Sequence, residues 1–129
     1  MNKSILVIAT VLGLLSVVFG AFDAHSLKVL ISSEALQTFE TGIRYQMYHA
    51  LVLLFVGSTS LVKPKTKKVV FYLILFGVLL FSGSIYGLAT NNLTSFDFKI
   101  IGFITPIGGL LLIISWILLL INFVKMTSK

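Results

Sequence analysis

The side chains of this sequence that could do chemistry are few, and they recur near one end of several apolar stretches. His49 is the most informative, because an ionisable side chain within an apolar stretch is costly to bury and is a functional candidate by default. The alternative is a structural role, in which a neutral His49 is hydrogen-bonded to another helix. The partners that we consider for such a bond are Ser82, Ser84 and Tyr86.

Charged groups and a second histidine lie close to the same end. Asp23 and His25 follow the first apolar stretch, and Arg44 opens the second. We expect Asp23 to pair with Arg44 or Lys28, and Arg44 also to find local partners along its own helix. The two histidines lack the local spacing that would identify a metal or haem site. We therefore predict no metal and no cofactor.

The dipeptide Thr105-Pro106 is the last unusual feature. If both residues lie inside a helix, proline removes the hydrogen-bond donor for the backbone carbonyl of Gly102. The freed carbonyl then either forms part of a substrate or ion site or marks a kink of the helix. Trp116 and Tyr72 are interpreted as packing residues or interface anchors. The complete candidate site consists of Asp23, His25, Arg44, Tyr45, Gln46, His49, Ser82, Ser84, Tyr86, Thr105 and Pro106.

Composition indicates the elements that must position these side chains. The chain has 129 residues, of which 57% are hydrophobic, 11% are charged and none is cysteine. Soluble domains contain about 25% charged residues, so this surface must meet lipid, and a soluble enzyme or a disulfide-stabilised module is excluded. Stretches of roughly 20 apolar residues can cross a bilayer. Four occur, at 4–22, 42–62, 69–90 and 100–124, and predict one all-α domain over 1–129, an antiparallel four-helix transmembrane bundle.

The distribution of basic residues predicts the orientation of these spans. One side carries Lys3, Lys63, Lys65, Lys67, Lys68, Lys125 and Lys129. The other side carries few basic residues, diluted by acids, so the positive-inside rule predicts that both termini are cytoplasmic. The net charge of +6 is then a topology signal, and we expect no nucleic-acid partner. The first stretch is interpreted as an uncleaved span of a cell-membrane protein and not as a signal peptide.

Two connections have recognisable end signals. The segment 26–41 is expected to form a short amphipathic helix at the outer interface, or to extend the second span outward. Ser32 followed by Glu34 in the first turn is typical of a helix start. Pro64 is predicted to stop the second helix at a tight inner turn.

Small residues predict where the helices pack, since helix association in lipid depends on close backbone approach. The third stretch has a Gly-x-x-x-Gly spacing at Gly83 and Gly87. Stripes of the same kind occur in the first and fourth stretches. The predicted packing positions are Gly13, Ser16, Gly20, Gly83, Gly87, Gly102, Gly108 and Gly109.

Four segments resemble the motifs of a known family. They are Gly-Ala-Phe-Asp-Ala-His at 20–25, Thr-Gly-Ile-Arg-Tyr-Gln-Met-Tyr-His-Ala at 41–50, Phe-Ser-Gly-Ser-Ile-Tyr at 81–86 and Ile-Thr-Pro-Ile-Gly-Gly at 104–109. The family is that of the YgdD and YwdK bacterial membrane proteins, which has a small animal transmembrane relative. The resemblance implies a four-span protein of the plasma membrane and supplies no biochemistry. Asp23 departs from the family pattern, which usually has glycine there.

The sequence leaves three functions open. The first is a non-enzymatic accessory or stabilising membrane subunit, with membrane lipid and either a second copy or another membrane protein as partner. The second is a carrier or channel for a small solute, ion or proton through an outer-leaflet polar pocket. The third is a membrane protein that binds a lipid, a quinone or a cofactor. The third includes an enzyme that acts on a lipid or quinone, in which His25, Asp23 and His49 would be the active groups, but no residue is assigned as catalytic.

Overall fold

The protein consists of long helices joined by short connections. A computed structural model describes residues 2–93, 97 and 102–127. Its four α-helices are α1 (Asn2–His25), α2 (Ser33–Ser58), α3 (Pro64–Ala89) and α4 (Ile104–Val124), and single 3₁₀ turns occur at Leu27–Val29 and Asn91–Leu93. Within the described part of the chain there is no β-strand, which confirms the all-α prediction. The start of the fourth predicted span, at 100 and 101, lies outside the described residues.

The start of α2 shows how the first connection folds. Ser32 is the N-cap, and its side-chain oxygen accepts a hydrogen bond of 3.1 Å from the backbone N–H of Ala35. Glu34 lies in the first turn, where a carboxylate favours the positive end of the helix. The amphipathic part of the connection is therefore an extension of α2, and the rest is the 3₁₀ turn at Leu27–Val29.

Replacing Ser32 by alanine should lower the free energy of unfolding by about 1 kcal/mol, because the first turn of α2 loses its cap. Thermal unfolding in a mild detergent measures the loss. Ser33→Ala is the matched control, since Ser33 is already inside the helix, and we expect a change below about 0.5 kcal/mol. Equal effects at the two serines would contradict the capping role.

The inner turn differs from its prediction. Helix α2 already ends at Ser58, and Thr59 is extended with φ −98° and ψ 150°. Pro64 is the first residue of α3 and does not terminate α2. Proline suits that position because its missing N–H would have no intrahelical acceptor there and its φ is already helical. Consequently α3 begins before residue 69, the start predicted from the apolar pattern.

Consecutive helices pack against each other in antiparallel pairs. A β-carbon placed at Gly57 of α2 would lie 2.9 Å from Leu6 of α1, and one at Gly77 of α3 would lie 2.7 Å from Leu112 of α4. At Gly108 of α4 a β-carbon would overlap the backbone nitrogen of Phe81 on α3. At Gly108 the β-carbon would meet backbone, which cannot give way, whereas at Gly57 and Gly77 it would first meet leucine side chains; the helices approach closely at all three positions.

The predicted packing glycines divide into two groups. Gly108 is at the closest approach, and Gly13 is in ordinary contact, with a β-carbon 3.9 Å from that of Ala50. At Gly20 and Gly83 a β-carbon would meet no atom within 4 Å. Gly83 and Gly87 instead line an open groove of about 400 Å³ whose walls include Phe19, Phe22 and Phe39.

Many apolar side chains lie on the outside of the helices. The largest buried cluster joins all four helices. Its members are Ile5, Ala9, Leu12, Ala50, Leu53, Val56, Val62, Val70, Phe71, Ile74, Val78, Leu112 and Leu119. Many large apolar residues, such as Leu14 at 63% and Leu120 at 61% exposure, face outward instead. A continuous apolar exterior of this kind is that of a membrane protein.

Helix α2 contacts all three of the other helices. It packs on α1 and α3, and one of its side chains is hydrogen-bonded to α4. The other long helices, α1 with its 3₁₀ turn (Asn2–Val29), α3 and α4, are long and apolar enough to cross a membrane, whereas α2 is more polar. Two of its polar residues, Gln46 and His49, are buried and hydrogen-bonded to neighbouring helices.

Candidate functional site

His49 is buried on α2, and both of its ring nitrogens have hydrogen-bond partners. Nδ1 lies 2.7 Å from the backbone oxygen of Tyr45, and Nε2 lies 3.1 Å from the indole nitrogen of Trp116 on α4. A backbone oxygen can only accept and an indole N–H can only donate. The geometry therefore requires a neutral imidazole with its proton on Nδ1. Neither nitrogen is left to bind a metal or to pass a proton.

The partner of His49 differs from those considered from the sequence. From the sequence, Trp116 is expected toward the cytoplasmic half of its span, as a packing residue or an interface anchor. The indole ring instead reaches from α4 to α2 and meets the imidazole edge to face, with the ring centres 6.1 Å apart. The side chain of Tyr86, one of the expected partners, is bonded to Gln46 instead.

Gln46 connects three helices. Its Nε2 donates to the backbone oxygen of Leu12 on α1 at 2.8 Å, and its Oε1 accepts from the hydroxyl group of Tyr86 on α3 at 2.6 Å. One turn earlier, Ser82 of α3 donates to the backbone oxygen of Gly42 on α2 at 2.8 Å. These side chains are thus occupied by interhelical hydrogen bonds.

Ser84 and Thr105 connect α3 to α4, with their hydroxyl oxygens 2.5 Å apart. Pro106 follows directly, but it lies in the first turn of α4, which begins at Ile104. Backbone N–H groups in a first turn have no intrahelical acceptor, so proline removes no helical bond there. The prediction of a mid-helix break that frees the carbonyl of Gly102 is therefore wrong.

The remaining candidates, His25, Arg44 and Tyr45, are exposed. Arg44 is exposed, and its Nη2 donates to the hydroxyl group of Thr41 on the same helix at 3.1 Å. The ring of Tyr45 packs on that of Phe81, with centres 5.1 Å apart, and 40% of the residue is exposed. His25 is exposed at the last position of α1. Among the described residues, none of these three side chains forms a hydrogen bond to the buried polar side chains described above.

Asp23 is the exception among the candidates, because it is buried at 6% exposure and its Oδ1 has no hydrogen-bond partner. Its charged neighbour is the carboxyl group of Glu40 on α2 and neither of the expected cations, Arg44 and Lys28. Two carboxylates in such a place repel each other unless a proton or a cation lies between them. Among the described residues, no group of three or more histidine, cysteine or acidic side chains could hold a metal ion.

The opposite end of the helices, which we call the lysine end, has polar connections that were not predicted. Asn122 of α4 accepts from the backbone N–H of Lys63 and donates to the backbone oxygen of Leu61. Lys67 of α3 donates to Thr59 O at 2.7 Å and to Asn2 Oδ1 at 3.1 Å. A single asparagine within the apolar stretch around 122 was the available signal, since a buried amide needs partners.

Comparison with known proteins adds the family. Residues 19–109 match the family described as "Protein of unknown function (DUF423)". The UPF0382 membrane protein YwdK of Bacillus subtilis is 38% identical over 125 residues, which cover 95% of this chain and 98% of that protein. The UPF0382 inner membrane protein YgdD of Escherichia coli is 29% identical over 132 residues, 99% of this chain and 95% of that protein.

A staphylococcal relative is equally similar. The UPF0382 membrane protein of Staphylococcus saprophyticus is 38% identical over 123 residues, which cover 95% of this chain and 98% of that protein. No solved structure matches the chain significantly. These likenesses agree with the four motifs and with the apolar exterior of the helices. The chain belongs to the DUF423 family of proteins of unknown function, and it is a membrane protein like its UPF0382 relatives.

Proposed function

We propose that this protein is a non-enzymatic accessory or stabilising subunit in the cell membrane. The observation that carries the proposal is the use of the polar layer, by which we mean Gln46, His49, Ser82, Ser84, Tyr86 and Thr105. The bonds of this layer join α1 to α2, α2 to α3, α2 to α4 and α3 to α4. A layer used in this way holds helices together and leaves no nucleophile or free base for a reaction.

The proposal includes a membrane topology. All four helices cross the bilayer as an antiparallel bundle, and both chain termini and the lysine end are cytoplasmic. The lysines on that side and the antiparallel packing of consecutive helices support it. Reporter fusions test it. A reporter that works only in the cytoplasm should be active when it is fused after residue 129 or within 59–63. A reporter that works only outside the cytoplasm should be active when it is fused within 94–97. The opposite pattern would contradict the orientation.

The accessory role predicts a partner in the membrane. The partner is a second copy or another membrane protein that covers part of the apolar exterior. A tagged chain, expressed at its native level and extracted in a mild detergent, should migrate well above its own mass of 14.2 kDa plus the micelle. Cross-linking before extraction identifies the partner. A monomer with no cross-linked protein would overturn the proposal.

Carriage of an ion or proton is the second candidate, and Asp23 is the observation that favours it. Its buried Oδ1 has no partner and Glu40 is adjacent, so the pair is suited to hold a proton or a small cation. In this function, Asp23→Asn and Glu40→Gln should each reduce flux into proteoliposomes at least tenfold. Glu34→Gln is the matched control, because Glu34 is exposed in the first turn of α2. Unchanged flux in the Asp23→Asn variant would exclude the carriage of an ion or proton by this pair.

A further inference from the structure

Lys67 is unusual among the lysines that the structure describes because it is buried. Only 6% of the residue is exposed, whereas Lys63, Lys65 and Lys68 around it are exposed. Its two hydrogen-bond acceptors, Thr59 O and Asn2 Oδ1, are both neutral. An ammonium group has three N–H donors, so a third remains beyond these two acceptors. A buried cation is stable only when its charge is compensated.

No acidic side chain is available for this compensation. The four acids of the sequence are Asp23, Glu34, Glu40 and Asp97. The first three lie at the end of α1 and in the first half of α2, and Asp97 lies in the connection between α3 and α4. All of these segments are at the end of the helices opposite to Lys67. No acidic side chain of the described residues therefore supplies the counter-charge of Lys67.

A cavity is lined in part by Lys67. It has a volume of about 480 Å³ and is lined by Asn2, Lys3, Pro64 and Lys67. Ligand pockets typically have volumes of about 300–1,000 Å³. The lining thus combines two lysines with a neutral amide, and it contains no acid.

The backbone around the cavity adds to its positive potential. Asn2 is the first residue of α1 and Pro64 is the first residue of α3, so two helix N-termini meet at the cavity. The N-terminus of a helix carries a partial positive charge and unpaired N–H donors, which favour phosphate groups. Lysine ammonium groups bind phosphate as point charges. The cavity therefore favours an anion with phosphate chemistry.

We propose that this cavity binds the phosphate group of an anionic phospholipid at the lysine end of the helices. The site goes beyond the proposed accessory role and does not depend on it. The apolar outer faces of the adjacent helices, which include Val7 on α1 and Val69 on α3, provide a surface for the acyl chains. A lipid is thus the source of phosphate that matches both parts of the site, and basic pockets between spans recognise such headgroups in general.

Native mass spectrometry tests the proposal on the full chain in a neutral detergent, with phosphatidylglycerol and phosphatidylcholine supplied in equal amounts. The wild type should retain phosphatidylglycerol in preference. Lys3→Gln should weaken retention about fivefold, the effect of one lysine near a headgroup. Lys125→Gln removes the same charge at the same end but lies outside the cavity, and it should leave retention unchanged. Lys67→Gln should weaken retention by at least as much as Lys3→Gln.

The controls distinguish a bound lipid from free phosphate and from a loss of folding. Lys67→Gln also removes contacts to α1 and to the residue that follows α2, so Lys3→Gln is decisive if that variant does not fold. Equal retention of the two lipids by the wild type would overturn the proposal, as would equal effects of Lys3→Gln and Lys125→Gln. Inorganic phosphate alone is the last arm. If it raises the thermal unfolding temperature as much as phosphatidylglycerol does, the site serves free phosphate and the lipid assignment is wrong.

Discussion

Replacing Gly108 by alanine is expected to destabilise the protein by about 3 kcal/mol, the upper end of the usual cost of overpacking. The new β-carbon would overlap the backbone of Leu80 and Phe81 on α3. Backbone atoms cannot rotate away as a side chain can, so α3 and α4 must separate along their contact. Loss of that contact would also weaken the bond between Ser84 and Thr105.

Two neighbouring glycines provide the controls for Gly108. A β-carbon at Gly109 would lie 3.5 Å from the ring of Phe81, an ordinary contact, and one at Gly83 would meet nothing within 4 Å. Gly109→Ala and Gly83→Ala should be neutral or stabilising by up to about 1 kcal/mol, because alanine is the better helix former. Thermal unfolding in detergent compares the three. A neutral Gly108→Ala would show that the helices are not this close.

Gln46→Leu is expected to cost about 2–3 kcal/mol of unfolding free energy. The substitution preserves the approximate volume but removes the donor to Leu12 O and the acceptor of the Tyr86 hydroxyl group. Each interhelical bond in a membrane contributes about 0.6–1.7 kcal/mol. The stranded hydroxyl group adds a further penalty because it is partly buried.

Gln37 offers a matched control on the same helix. It is exposed in the first half of α2, so Gln37→Leu makes the same chemical change away from the polar layer. We expect its effect to stay below about 0.5 kcal/mol. Chemical denaturation in mixed micelles measures both variants, and equal stability of the two would show that Gln46 is not a structural link.

The number and approximate course of the helices could be predicted, because apolar length alone indicates them. Their ends could not. Pro64 is compatible with the end of one helix and with the start of the next, and only the path of the inner turn decides between the two. For the same reason the sequence suggests a break at Pro106, although α4 begins just before it. The cap at Ser32 was predictable because its bond is local.

The candidate site was predictable in its composition but not in its connections. The excess of polar residues at one end is a property of the sequence, whereas the bond between His49 and Trp116 depends on helix rotation and on the reach of a long side chain. Small residues likewise indicate at which positions two helices can pack closely. They do not show at which of these positions the helices are in contact. Thus Gly83 faces a groove, and Gly77, which is not among the predicted packing positions, packs on Leu112.

We propose that the polar layer holds the helices together and does not carry out a reaction or transport. The most direct test is the protonation of His49, measured by ¹⁵N NMR on protein with labelled histidine. We expect a neutral ring at neutral pH, with Nδ1 protonated, Nε2 unprotonated, and an Nε2 shift that changes when Trp116 is replaced by phenylalanine. A cationic ring, or an Nε2 signal that is indifferent to Trp116→Phe, would contradict it.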